Sequence, residues 1–113
     1  MVPIYRLYNG RFQDNWLLPD GPNLYWAAIH GGYGIQGVAF YAYPANPSPT
    51  PQAPLCATGT TGVIQMWNGG NYDHMYSIYG GDHWYGLIMA GYIDDGSSIY
   101  KDANGGVSFC VPL

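Results

Sequence analysis

Seven acids and three histidines are the residues here that could do acid–base or metal chemistry. The acids are all aspartate, because the chain has no glutamate. A glycosidase pair would have to be Asp with Asp, and Asp14 with Asp73 is the first choice. No Gly-x-Ser-x-Gly turn is present, so a serine nucleophile lacks its usual setting. His74 and His83 each follow an aspartate, as Asp73-His74 and Asp82-His83. Neighbours on a strand point to opposite faces, which makes Asp-His at i, i+1 a poor metal pair. His30 is remote from both. No metal site, cofactor site or catalytic set is therefore expected, and the chain reads as a binder rather than an enzyme.

Binding chemistry is better supplied. Sugars are polar at their edges and apolar on their ring faces, so proteins grip them with an aromatic ring and with Asp, Asn, Arg or His at the hydroxyls. Two clusters carry that mixture. One is Tyr5, Arg6 and Tyr8 with Asp14 and Trp16; the other is Trp67 and Asn68 with Asp73, His74 and Tyr76. In each, a hairpin would set an aromatic-bearing strand beside an acid-bearing strand. Any one ring is more often core than ligand platform. Twelve Tyr, 4 Trp and 3 Phe in 113 residues are more than a core of this size hides. Asn9 and Asn68 read first as turn residues, and Arg6 as a contact for a sugar carboxylate or sulfate or for a carbonyl.

The elements that position these residues follow from an internal repeat. Residues 4–43 align without a gap on residues 63–102, with Asn9-Gly10 on Asn68-Gly69, Asp14 on Asp73 and Gly32-Tyr33 on Gly91-Tyr92. Period-two patterns predict strands over Val2–Tyr8 and Arg11–Leu18, joined by a two-residue turn at Asn9-Gly10. Asn23 is the expected N-cap of a short helix ending at Gly31-Gly32, and Val38–Tyr43 the third strand. The second unit repeats the plan: strands over Gly62–Trp67 and Asp73–Tyr79, a helix over His83–Ala90 capped by Asp82, and a strand over Ser97–Lys101. A closing strand, 107–111, lies outside the repeat. Residues 44–54 hold five prolines and read as an extended linker. The expected fold class is α+β: two pseudo-symmetric β-β-α-β units, neither with enough core to stand alone, packed as one domain over 1–113.

Composition narrows the partners. Only 9% of residues are charged, against about 25% in ordinary domains. Arg6, Arg11 and Lys101 are the only basic residues and the net charge is -4. That leaves no basic patch for nucleic acid and little attraction to an anionic membrane. No apolar run approaches a membrane span. Many rings and little charge suit a homodimer. Cys56 and Cys110 flank the second unit, far from a Cys-x-x-Cys spacing. A disulfide between them is expected; it would add roughly 3–4 kcal/mol in the chain-entropy picture and implies an oxidising compartment. No signal peptide precedes Val2, so secretion would mean a leader already removed or another export route.

Val2-Pro3-Ile4-Tyr5-Arg6-Leu7-Tyr8-Asn9, Asp73-His74-Met75-Tyr76-Ser77 and Gly37-Val38-Ala39-Phe40-Tyr41 together resemble a secreted repeat family of fungi and bacteria. Its units open Val-Pro-Val-Tyr-Arg-Leu-Tyr-Asn and continue Gly-Asp-His-Phe-Tyr-Thr. The first unit lacks the histidine, at Asp14-Asn15-Trp16, and the second departs at Ile64-Gln65. In size, composition and cysteine layout the chain is also similar to small mushroom fruiting-body lectins. That resemblance implies a secreted, metal-free lectin with a role in defence or cytotoxicity. The function expected is recognition of a neutral or amino-sugar-containing oligosaccharide, free or on a glycoprotein. The alternative is an inhibitor or effector that docks a protein partner through a tyrosine-rich surface.

Overall fold

The computed structural model describes residues 1–46, 49–78, 81–94 and 107–113. They form two antiparallel sheets and two short helices, an α+β arrangement. Strand β1 (Val2–Asn9) is central in the first sheet, between β2 (Asp14–Pro19) and β3 (Gly34–Ala42). Strand β4 (Thr60–Asn68) is central in the second, with β5 (Asp73–Ile78) on one side. Its other side is shared by β6 (Ile93–Asp94) and β7 (Val107–Pro112). Helix α1 (Pro22–Ile29) follows β2, and α2 (Asp82–Met89) follows β5.

The first hairpin loop is longer than the two residues expected, whereas the return strand of the second starts at Asp73 as expected. Asn9 pairs with Asp14 and Asn68 with Asp73, leaving four residues between. The reason is local. Asn9 Oδ1 accepts the Arg11 amide at 3.0 Å, and Asn68 Oδ1 accepts the amides of Gly70 and Asn71. Each asparagine side chain thus caps its own turn, and the turn closes through Gln13 (φ 56) or Tyr72 (φ 53). Each Nδ2 then donates to the end of a helix, Asn9 to the Gly31 carbonyl and Asn68 to that of Ala90.

The helix starts also differ from expectation. Gly21 and Gly81 are the N-caps; Asn23 lies inside α1 and Asp82 is the first residue of α2. Pro22 sits at the first helical position, where its missing N–H costs nothing. The gapless repeat consequently misplaces the helices by one residue. Leu24 and Ala27 face the core in α1, and Leu87, which takes the place of Ala27, does so in α2. Burial, not residue identity, sets that register. Strand β3 begins at Gly34 rather than Val38, because two bulges absorb the glycine-rich stretch into the ladder. The third strand expected over Ser97–Lys101 lies outside the described residues.

The first sheet has two working faces. Leu7, Trp16 and Leu18 point to one side, under Leu24 and Ala27 of α1 and Tyr33. Ile4 and Ala42 point to the other, against Val63 and Phe109 of the second sheet. Strand β7 ties the halves: it pairs along β4, and Cys110 exchanges both backbone hydrogen bonds with Tyr43 at the end of the first half. The Cys56–Cys110 disulfide is present, and its Cys110 end is fully buried. Replacing both cysteines by serine should lower unfolding stability by about 4 kcal/mol. The comparison is the urea midpoint of the double variant against the parent under non-reducing conditions.

Candidate functional site

Strand alternation separates the expected binding residues. Asp14 and Trp16 are on the side of β2 that faces inward, and Asn15 between them faces solvent. Asp14 is 0% exposed. Its Oδ2 accepts from the Tyr33 hydroxyl at 2.5 Å and meets His74 Nδ1 at 2.6 Å; its Oδ1 accepts the His74 backbone amide at 2.7 Å. Burial pushes the Asp14 carboxyl up, but the hydrogen bonds from His74 and Tyr33 outweigh it and leave the group below its ordinary value. An ionised carboxylate only accepts, so Nδ1 of His74 carries the proton. Burial first, then the bond to Asp14, drives the Tyr33 hydroxyl far above the usual tyrosine range.

Aromatic rings clamp this group. The His74 imidazole stacks on Trp16 at 4.4 Å and 13°, and Trp67 lies 4.5 Å away on a tilted plane. The Trp16 indole N–H donates to Gln65 Oε1 at 2.8 Å. Farther along β2, the Tyr76 hydroxyl accepts the Leu17 N–H at 2.7 Å and donates to the Leu17 carbonyl. Side chains of the second half thereby occupy the outer edge of β2, and this cluster is a joint, with no carboxylate oxygen of Asp14 left facing solvent. Asp73 accepts a short hydrogen bond from Tyr92, the same Asp–Tyr pairing as Asp14 with Tyr33. That bond, before burial, lifts Tyr92 to about 12. The signal for both pairs was in the sequence: Asp14/Asp73 and Tyr33/Tyr92 are identities of the repeat. Asp14 is enclosed and Asp73 is partly buried, and each accepts a hydrogen bond from a tyrosine.

Three surfaces remain. On the first sheet, Arg6, Tyr8 and Asn15 share the face that Ile4 starts, beyond the region covered by the second sheet. Tyr8 pairs with Asn15 on one side and Gly34 on the other; Arg6 pairs with Leu17 and Gly37. Gly37 has φ 116 and open space where a side chain would stand, so this position does not crowd the Arg6 side of the face. The result is a flat shelf: a half-buried ring, an exposed amide and an exposed cation. Second, Tyr5 lies in a cleft of about 430 Å³ with Pro19, Asp20, Pro44 and Phe109. Third, Phe12 from one hairpin loop stacks on Tyr72 from the other at 3.7 Å, with Arg11 over Phe12 at 5.1 Å. Asn68 is engaged in its turn, and Tyr76 in its bonds to Leu17. Among the described residues no group of three His, Cys, Asp or Glu could hold a metal ion. Among them, too, no helix is long and apolar enough to cross a membrane.

No family model matches the chain, and no similar curated protein or solved structure was found.

Asp14→Asn keeps the shape but removes the charge that three donors address. It should cost about 3 kcal/mol in a urea melt. The pH dependence has two limbs. Asp14 is lowered on folding, so its contribution is present above the ordinary value of 3.8 and is lost as the solution is acidified through the folded value. Tyr92 is raised, so its contribution is present below pH 10.0 and is lost as pH climbs to about 12. Melting temperature against pH should therefore fall at both ends, with Asp14→Asn flattening the acid limb and Tyr92→Phe reducing the alkaline one.

Proposed function

We propose that the protein is a secreted, metal-free glycan-binding protein whose saccharide lies on the shelf formed by Tyr8, Asn15 and Arg6. The observation that carries this reading is the distribution of the rings. Among the described aromatic residues only Trp16, Tyr33 and Phe109 are buried, and the rest keep solvent-facing surface. On the shelf one of those rings stands beside an amide and a cation, with glycines opposite, which is the shape a flat sugar face needs. Compared with the residues expected from sequence, the site keeps Arg6 and Tyr8 and takes Asn15 in place of the enclosed Asp14, Trp16 and His74. Tyr5, in its cleft, is a second contact for a longer oligosaccharide.

The secreted assignment rests on the disulfide, which persists in an oxidising compartment. The architecture is read as a duplicated β-β-α-β unit whose two copies have taken different roles. The positions of Arg6, Tyr8 and Asn15 recur in the second half as Gln65, Trp67 and His74, where they build the joint. One copy's face was spent on assembly and the other's was left for a ligand. Defence or cytotoxicity is the role this class of small lectin would serve.

One observation favours a protein partner as a second reading. Strand β3 is the free edge of its sheet and exposes Ile35 (52%), Val38, Phe40 and Tyr41 (60%), with no charged residue along it. Such an edge suits strand addition by another chain.

Screening the folded protein on a glycan array separates the two. The glycan reading expects saturable binders, and loss of the Tyr8 ring in Tyr8→Ala should weaken them about tenfold, on the scale of one aromatic contact. Verified folding with an empty array removes the reading. An array signal that survives Tyr8→Ala moves the site elsewhere.

A further inference from the structure

We infer that the saccharide carries a single anionic group, a carboxylate or a sulfate, and that Arg6 reads it. The inference rests on the glycan reading above and names its ligand class. The chain has three basic residues in all, against seven acids. Of the two described, Arg11 lies over the Phe12 ring at the hairpin tip. Arg6 is different. It is exposed in the middle of a strand, and the one ion pair among the described residues joins His74 and Asp14, not Arg6. A solvated cation of no consequence is the ordinary alternative. Against it stands the setting: Leu17 on one side, the open space above Gly37 on the other, and Tyr8 two residues along the same face.

The comparison between halves sharpens the point. The matching position in β4 is Gln65, which is buried and accepts hydrogen bonds from the Trp16 indole at 2.8 Å and from Ser108 at 3.4 Å. Where this position faces the interior it is a neutral amide with protein partners. Where it faces the shelf it is a guanidinium without an acid beside it. Guanidinium presents a planar fork of donors that matches carboxylate and sulfate oxygens two at a time. Two residues along a strand span roughly 7 Å, about one sugar ring, so a saccharide stacked on Tyr8 brings a substituent to Arg6 without bending. The net charge of -4 limits the ligand on the other side. A dense polyanion would be repelled by the whole molecule, whereas one acidic group in an otherwise neutral glycan meets the single local cation.

The test is an array of matched pairs, each neutral oligosaccharide printed beside its sialylated, uronylated or sulfated form, followed by titration of the best pair. The protein should favour the acidic member about tenfold, and less so as salt rises from 50 to 500 mM, on the order of magnitude of a screened ion pair. Arg6→Gln should bring the acidic-to-neutral ratio close to one, and Arg6→Lys should restore part of it, because the charge returns without the fork. Near-ultraviolet circular dichroism and the urea midpoint of both variants establish that they are folded. Which acidic form wins distinguishes carboxylate from sulfate. Binding of neutral and acidic partners alike, or a preference that survives Arg6→Gln, overturns the assignment of Arg6 while leaving glycan binding intact. An array with no binder overturns both.

Discussion

The architecture depends on one buried carboxylate. Asp14 is at the end of a hairpin, wholly enclosed, and would be costly there if it were alone. It is stable because each half of the chain sends donors to it: Tyr33 from its own half, and both the ring and the backbone of His74 from the other. Both His74 bonds to Asp14 are short and directional, so the Asp14 group ties β5 to β2 at this point. Apolar burial between the sheets supplies free energy but little direction. The carboxylate supplies direction. Trp16, stacked on His74, and Trp67, tilted against it, help shield the joint from water and so strengthen the bonds in it.

A second consequence concerns the edges of the sheets. The outer edge of β2 would be open to pairing with another chain. Instead the Tyr76 hydroxyl takes both the N–H and the carbonyl of Leu17, and Asp14 takes the His74 amide. Two strand edges that could have formed a continuous ladder are bridged by side chains. Joining the halves this way leaves their faces unequal. The second half presents Val63, Gln65 and His74 to the joint, whereas the first half covers Ile4 and Leu17 and leaves Arg6, Tyr8 and Asn15 outside. An open polar face on the first sheet only is a product of that inequality.

Much of the strand content was legible because period-two alternation is a local property. The turn positions were legible because turn residues are constrained by backbone shape. Asn9 and Asn68 read as turn formers and are, each holding its loop through Oδ1. The cysteine pairing followed from there being two cysteines placed around one unit. The misreadings were local as well. Asn-Gly suggested a two-residue turn, but the asparagine side chain bonds two residues ahead and lengthens the loop to four. Asn23 and Asp82 looked like caps by residue type, yet the glycine before each helix serves, since Pro22 and Asp82 already have helical geometry.

From its sequence alone this chain determined most of its strand positions, its α+β character and an oversupply of rings with few charges to accompany them. Those follow from short-range sterics and composition. Which rings and acids are hidden was decided only in three dimensions. Asp14, Asn15 and Trp16 are consecutive and chemically suited to the same ligand, but a strand turns the middle one outward and its neighbours inward. That side is inward because α1 and Tyr33 cover it, and because His74, sixty residues from Asp14, closes over its end. A local pattern carries no information about a partner at that distance, because the bond exists only once both sheets have formed.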